Sequence, residues 1–277
     1  ELTFDAAVLN QGDFKWNSSI NFSTLNNKVE TLVNGQDIIT NYNIIREGES
    51  IRSIYGYTYV GVNAANGNPI YESYNRDDNN NITETILVQG NIANGNYYVY
   101  DPANPNEFKT VRSLNALRDK KILGSVLPTY FGGFDNNFMY KGFDMNIFFR
   151  FSGGNKIMNR SRVELLSQAF NNNGTEILGR WQSPENPGDG QTPKIVLNGD
   201  NFINRPDDAS TRWVEDGSFV KLQNVSLGYS FPADQMKKLK VNGLRVYVQG
   251  QNLLTFTKYK GVDPETSTNF STSTGFG

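Results

Sequence analysis

A two-residue alternation of apolar and polar side chains constrains this chain more than any other feature. In Phe143–Ser152 every odd-numbered residue is Phe, Met or Ile, and the even-numbered residues are polar except Phe148. This period places one row of side chains on each face of a β-strand, so that one face is apolar and the other is wet. The same pattern predicts strands over Leu2–Val8, Phe14–Ser23, Ile122–Phe134, Asn224–Phe231 and Leu244–Gln251, although Pro128 interrupts the third.

Short and long connections alternate between these strands. The short ones are centred on Gln11-Gly12-Asp13, on Asp135-Asn136-Asn137 and on Pro232–Gly243, and the long ones are Asn26–Lys121, Gly153–Ser218 and Lys258–Gly277. Compact soluble domains seldom contain such long connections, whereas bacterial membrane barrels have short periplasmic turns and long extracellular loops. The pattern therefore favours an all-β fold, part of a transmembrane antiparallel β-barrel with long extracellular loops.

A soluble β-sandwich, for example a carbohydrate-binding module, is the alternative. A strand with one buried face and a strand with one lipid-facing face have the same alternation of apolar and polar residues. Aromatic residues at the predicted short-turn ends favour the barrel, since membrane girdles place aromatics there. These residues are Phe14, Trp16, Phe134, Phe138, Tyr140, Phe143, Tyr229 and Phe231.

Four residues are candidates for contact with a substrate. Arg150, Gln249 and Gln251 lie on the strand face that a barrel would turn to its lumen. Trp181 lies in a long loop, where an aromatic ring stacks on a sugar or peptide, although packing of the loop on itself is the commoner reason for such a residue.

Composition argues against an enzyme. The 277 residues include no His and no Cys, which excludes Ser-His-Asp and Cys-His arrangements and predicts no catalytic residue, cofactor or metal site. Glu215 and Asp216 could in principle act as the carboxylate pair of a glycoside hydrolase, but adjacent residues of a strand point to opposite faces. Asp77–Asn81 resembles a calcium loop only faintly, because it lacks the central glycine. A net charge of −2 gives no reason to expect nucleic acid.

Several stretches resemble the SusC/RagA family of TonB-linked outer-membrane proteins. The run Trp213–Pro232, WVEDGSFVKLQNVSLGYSFP, is similar to a strand signature of that family. Leu244–Thr257 and Tyr259–Glu265 resemble the strand and loop that follow it. Upstream, Phe14–Asn17 and the segment from Arg46 to Tyr57 also match, so the resemblance covers nearly the whole chain.

The resemblance implies a barrel of about 22 strands with a plugged lumen in the bacterial outer membrane. It also implies import of oligosaccharides or peptides, energy supplied through TonB, a SusD-like surface lipoprotein as partner, and contact with outer-membrane lipid. We expect residues 1–277 to be the C-terminal portion of one TonB-dependent receptor β-barrel domain, with the plug domain, the N-terminal strands and the closing strand outside it.

Overall fold

The computed structural model describes residues 1–167, 172–196, 199–238 and 240–265. They form two compact units. The sheet unit comprises Glu1–Asn26, Leu127–Asn155 and Gly217–Tyr259. The loop unit comprises Asn27–Val126, Lys156–Asp216 and the residues from Lys260 onward. Described residues from all three segments predicted as long loops therefore belong to one unit.

The strands are β1 (Leu2–Gln11), β2 (Phe14–Thr24), β3 (Ile38–Thr40), β4 (Asn43–Ile45), β5 (Ser53–Gly56), β6 (Tyr59–Val62), β7 (Pro69–Arg76), β8 (Ile82–Asn91), β9 (Asn96–Val99), β10 (Lys121–Gly124), β11 (Tyr130–Tyr140), β12 (Phe143–Gly153), β13 (Lys156–Met158), β14 (Val214–Asp216), β15 (Phe219–Ser230) and β16 (Arg245–Thr257). The α-helices are α1 (Ala116–Asp119), α2 (Arg160–Leu165), α3 (Asp200–Ile203) and α4 (Ala233–Lys238), and short 3₁₀ turns span Val33–Gly35 and Thr175–Gly179.

The sheet unit is one six-stranded antiparallel sheet in the order β1-β2-β11-β12-β15-β16. Strands β1 and β16 form its two edges in the described residues, as the order of the predicted strands requires. Lys141 and Gly142 close the β11–β12 hairpin, both with positive φ (45° and 89°), which is the backbone of a tight hairpin turn. The last hairpin is longer and carries α4. Strands Leu2–Val8, Phe14–Ser23 and Phe143–Ser152 are confirmed with ends extended by one to three residues.

The predicted strand Ile122–Phe134 is wrong. Its first part, β10, pairs with β5 in a different sheet, and β11 begins only at Tyr130, two residues after Pro128. Proline lacks the N–H that a central strand needs, and here it lies between the two strands. Asp135-Asn136-Asn137 is consequently inside β11 and is not a turn.

The loop unit has three small sheets, of strand orders β10-β5-β4-β3, β6-β7-β8-β9 and β13-β14. Its core is unusually rich in tyrosine: Tyr57, Tyr59, Tyr71 and Tyr97 cluster with Val88. The rings meet edge to face, with Tyr71 5.3 Å from Tyr59 and 5.9 Å from Tyr97 between centroids. This geometry suits the ring quadrupoles and gives the unit an interior of its own.

A buried carboxylate in the loop unit is surrounded by hydrogen-bond donors. Asp119 is fully buried, and its carboxylate accepts hydrogen bonds from the Ser73 hydroxyl, from the N–H groups of Tyr74 and Asn115, and from the Arg118 guanidinium, at 2.7–3.0 Å. Burial raises the pKa of Asp119, but these hydrogen bonds outweigh it and hold the pKa below its ordinary value.

Candidate functional site

One face of the six-stranded sheet is apolar from edge to edge. The cross-strand register aligns Phe4, Ile20, Phe134 and Phe149 on successive strands, and continues the face through Val225 and Leu227 of β15 and Val248 of β16. Many of these side chains are open on the inner strands too, where Phe134 is 38% and Leu227 is 46% exposed. A sandwich would cover such a face with a second sheet, so the exposure matches a surface that contacts lipid.

Aromatic side chains form a band near each end of this apolar face. At the short-turn end Trp16 stacks on Phe138 with 5.6 Å between centroids, and Phe143 lies 4.5 Å from Tyr229. At the opposite end Phe22 lies 6.3 Å from Phe151 and 6.4 Å from Tyr130. Aromatic girdles at both membrane–water interfaces are typical of outer-membrane barrels.

The predicted short-turn girdle is largely confirmed, and Phe134 is its exception. Phe14, Trp16, Phe138, Tyr140, Phe143, Tyr229 and Phe231 do lie within a few residues of a short connection. The sequence pattern places Phe134 in the girdle because it predicts a turn at Asp135–Asn137. The observed turn is at Lys141, so Phe134 lies in the middle of β11, among the apolar residues between the bands.

Asn136 is a polar residue on the apolar face. Its Oδ1 accepts hydrogen bonds from the Trp16 indole N–H and from the Ser18 hydroxyl, both at 3.1 Å. Only 6% of the residue is exposed. Pairing within the protein lowers the cost of placing a polar group on a face that contacts lipid.

The opposite face of the sheet carries a ladder of amides that crosses four strands. Gln249 of β16 donates to Asn224 of β15 at 2.6 Å, and Asn224 donates to Asn146 of β12 at 2.9 Å. Asn146 donates in turn to Asp135 at 2.8 Å and to Asn137 at 3.0 Å, both on β11. The Asn137 amide also donates to Asp135. We call these residues the amide ladder. Such a hydrated, hydrogen-bonding surface is suited to a polar lumen.

Three of the four predicted substrate contacts lie on this polar face. Arg150 is exposed on β12, opposite Gly133 of β11 and Lys221 of β15. Gln249 and Gln251 are exposed on β16, opposite Ser226 and Asn224. Gln249 belongs to the amide ladder, and Arg150 and Gln251 flank it.

Trp181 is in the loop unit and is not part of that group. Its indole N–H donates to the Ala64 carbonyl at 2.8 Å, and its ring covers Gly67, where a Cβ atom would lie 2.6 Å from the ring. Trp213, the other loop tryptophan, is fully buried and donates to the Asn204 carbonyl at 3.1 Å. Both tryptophans therefore pack within the loop unit, which is the commoner of the two roles considered for Trp181.

The sequence pattern does not reveal three β-bulges of the sheet unit, the first of which lies at Val8 of β1. The register also shifts at Gln223 of β15 and at Asn252-Leu253 of β16, where the Gln223 side-chain amide donates to the side-chain Oδ1 of Asn252 at 2.8 Å. Asn252 has a positive φ of 52°, a conformation that asparagine tolerates better than most residues. The unexpected asparagine after Gln251 is the one signal that could have revealed this bulge.

An ion pair spans three strands near the short-turn end of the polar face. Asp144 of β12 and Arg245 of β16 bind each other across β15, with two hydrogen bonds from the guanidinium to the carboxylate. Gly228 lies between them, and a Cβ atom there would be 2.5 Å from the Arg245 Nη2 and 2.8 Å from the Asp144 carboxylate. The glycine therefore makes room for the pair.

The carboxylates considered for catalysis and for calcium have structural partners. Glu215 accepts from the Lys260 N–H at 2.8 Å, from the Asn159 amide at 3.2 Å and from Arg162 at 3.5 Å. Asp77 accepts from the N–H groups of Asn79 and Asn81, which shapes a turn. Within the described ranges, no cluster of three or more acidic residues is arranged to hold a metal ion. None of the helices described there has the length and apolarity to cross a membrane.

The sheet has an exposed apolar face with an aromatic band near each end, and a polar face with a hydrogen-bonded ladder of side chains. These features are those of transmembrane β-barrels, and the sheet is part of such a barrel. Comparisons with known proteins agree. The chain is 33% identical over 275 residues to TonB-dependent receptor P3 of Formosa agariphila and 30% identical over 289 residues to receptor P39 of the same organism, each match covering 96% of this chain. It is 27% identical to TonB-dependent receptor SusC of Bacteroides thetaiotaomicron, again over 96% of this chain.

A solved structure of the RagAB peptide transporter superposes with a TM-score of 0.72 at 22% identity, covering 96% of this chain and 26% of that one. No family model matches. The chain spans about a quarter of the length of the curated relatives it matches, from 23% to 27%. It belongs to the SusC/RagA family of TonB-linked outer-membrane proteins.

Proposed function

We propose that this chain forms part of the wall of an outer-membrane importer that takes up nutrients with energy supplied through TonB. Oligosaccharides are the substrates we favour, and peptides are the second candidate. One observation carries the proposal: a single sheet presents lipid-type side chains on one face and the amide ladder on the other. A wall of this kind separates a bilayer from a polar passage.

The residues on the polar face are the proposed contacts for the substrate. Arg150, Gln249 and Gln251 are exposed there and offer guanidinium and amide groups to hydroxyl or peptide oxygens. Their role is binding, and the chain contributes no bond-making or bond-breaking step. Trp181 is a proposed contact of a different kind, because its partly buried ring lies in the loop unit.

The family relationship supports the proposed partners. Similarity to SusC and to the RagAB peptide transporter supports a SusD-like surface lipoprotein and TonB as partners of the complete protein. The apolar face supports outer-membrane lipid as its surroundings. Residues 1–277 are on this proposal the C-terminal portion of one barrel domain.

Uptake by cells that carry the complete transporter tests the proposal. Deletion of TonB should abolish uptake of labelled oligosaccharide. Replacing Arg150, Gln249 and Gln251 together by Ala should slow uptake at least about fivefold, since each lost polar contact weakens binding by about 1 kcal/mol. The matched control replaces Val246 and Val248, on the other face of β16, by Ala and should leave transport unchanged. TonB-independent uptake would contradict the proposed mechanism.

A surface tag tests the orientation. A tag at Ala93-Asn94, an exposed turn of the loop unit, should be labelled on intact cells. A tag at Lys141-Gly142 should be labelled only after the outer membrane is permeabilised, because short turns of such barrels face the periplasm. The reverse labelling pattern would contradict the orientation while leaving the barrel assignment intact.

A further inference from the structure

The loop unit contains a small polar pocket rich in basic side chains. Its volume is about 210 Å³, and four basic residues line it: Arg46, Arg76, Lys120 and Lys121. Glu49 and Asn80 add a carboxylate and an amide to the lining. We call this the basic pocket. None of the contacts proposed above for transport lies in it.

Three of the basic residues hold carboxylates that do not line the pocket. Arg46 binds Asp37 at 2.7 Å, Lys120 binds Asp208 at 2.7 Å, and Lys121 binds Glu72 at 3.2 Å. These pairs hold the cationic groups in place. Because the three acids are absent from the lining, the cations are what a molecule inside the pocket would meet.

Arg76 is the source of uncompensated positive charge. Its guanidinium donates to the carbonyl oxygens of Arg118, Asn80 and Lys120, at 2.8, 2.8 and 3.2 Å. It forms no ion pair within the described ranges. Three neutral carbonyls fix its orientation but leave its charge and two of its five N–H groups available. A guanidinium held in this way is well suited to bind a planar or tetrahedral anionic group.

Glu49 indicates what else the ligand carries. A carboxylate accepts hydrogen bonds from hydroxyl groups, whereas it repels a ligand that is anionic throughout. A lining that combines cations, an amide and one carboxylate therefore matches a molecule bearing hydroxyl groups beside an anionic group. An acidic sugar has both features, and an acidic peptide has only the second unless it also carries Ser or Thr.

We propose that the basic pocket binds the carboxylate or sulfate group of an acidic oligosaccharide. The proposal rests on the proposed import function and narrows its substrate class to acidic glycans. The pocket has room for an anionic substituent with part of one sugar ring, so it selects for the charged group and leaves the remaining sugar units to other parts of the transporter.

Binding to the complete, detergent-purified transporter tests this inference without any need for TonB. Four probes are compared by calorimetry: tetragalacturonate, a sulfated galactose tetrasaccharide, a neutral galactose tetrasaccharide and tetraglutamate. At least one acidic saccharide should bind about tenfold more tightly than the neutral one, and salt should weaken that binding as it screens the charges.

Variants test whether the tighter binding of acidic saccharides arises at the basic pocket. Arg76→Gln should weaken binding of the acidic saccharide about tenfold and change the neutral one less than about twofold. Lys121→Gln, which leaves the three carbonyl contacts of Arg76 untouched, should act in the same direction and guards against a folding defect in the first variant. Lys109→Gln removes the same charge from an exposed side chain of the same unit (77% exposed) and should have no effect.

Three results would overturn the inference. They are equal binding of acidic and neutral saccharides, loss of binding in Lys109→Gln equal to that in Arg76→Gln, or no binding of either acidic saccharide. Tetraglutamate binding that equals the saccharide and falls with Arg76→Gln would replace the acidic glycan by an acidic peptide. All of these outcomes are independent of whether uptake in cells requires TonB, so the two proposals fail separately.

Discussion

The sheet unit and the loop unit differ in where their large apolar side chains lie: exposed on one face in the first, and buried in the second. In the sheet unit large apolar side chains such as Phe134 and Leu227 on inner strands are 38% and 46% exposed, and most of the polar groups face the other side. In the loop unit Tyr71 and Trp213 are fully buried and the buried Asp119 is surrounded by donors. The first arrangement requires lipid as its solvent, and the second is that of a water-soluble domain. Burial alone therefore distinguishes what each unit contacts.

The largest expected effect is a loss of stability of the loop unit, caused by a substitution in its interior. Asp119→Ala removes the acceptor shared by Ser73, Tyr74, Asn115 and Arg118, so that buried donors lose their partner. Each buried donor that is left without a partner costs about 1–3 kcal/mol. Hydrogen exchange of the complete protein should show the loss at the amide of Tyr74, while Asp78→Ala, an exposed aspartate of the same unit, should leave exchange unchanged. Unchanged exchange in Asp119→Ala would remove this carboxylate from the core of the unit.

The next largest effect compares the cost of an arginine on the two faces of the sheet, at the same depth in the bilayer. Ile147→Arg places a charge on the apolar face near mid-strand and should destabilise the protein in a bilayer by about 2–4 kcal/mol. Gln251→Arg lies near the same depth on the polar face, since both positions adjoin the Asn224–Val225 step of β15. It should cost far less. Reversible unfolding from lipid vesicles measures both, and equal costs would contradict the assignment of the faces.

Acid should weaken the loop unit through Asp119. The pKa of this group is lower in the folded protein than its ordinary value of 3.8. Its contribution to stability is therefore complete above the unfolded pKa, about 4, and is lost as the pH falls through the lower folded pKa. Hydrogen exchange as a function of pH should show this loss in the wild type, and a smaller one in Asp119→Asn, which has no such carboxylate to protonate. An identical acid response in both proteins would assign the loss to other groups.

The smallest effect tests the ion pair on the polar face. Gly228→Ala should displace Arg245 from Asp144, because the new methyl group would occupy the space between them. The two side chains are 44% and 35% exposed, so water screens their attraction and the pair contributes little to stability. Urea unfolding in vesicles should show a decrease far smaller than that of Ile147→Arg, and Ser226→Ala, two residues away on the same face, serves as control. A loss of several kcal/mol would mean that the strand itself is distorted.

Sequence period predicted the sheet unit well wherever the strands are regular. Its errors fall at bulges and at turn-like residues. The prediction for β15 began at Asn224 because the bulge at Gln223 reverses the alternation, although the strand starts at Phe219. The prediction for β16 stopped at Gln251 for the same reason, just before the bulge at Asn252.

The two-residue alternation does not predict features that depend on contacts between distant parts of the chain. Asp135-Asn136-Asn137 has the composition of a turn, yet cross-strand partners keep it extended, which is a tertiary effect that a local pattern does not contain. The basic pocket joins Arg46, Arg76 and Lys120, which are up to 74 positions apart in the chain, so no motif could reveal it.

The amide ladder has a consequence for how the sheet reaches its correct alignment. A strand that slips by one position turns its apolar side chains to the wrong face, and lipid penalises that error heavily. A slip by two positions keeps every side chain on its proper face, so the apolar pattern alone tolerates it. In the observed alignment Gln249, Asn224 and Asn146 meet through their side chains, and a slip by two positions between β12 and β15 would separate Asn224 from Asn146. The ladder thus favours the observed alignment over a class of misalignment to which the bilayer is indifferent.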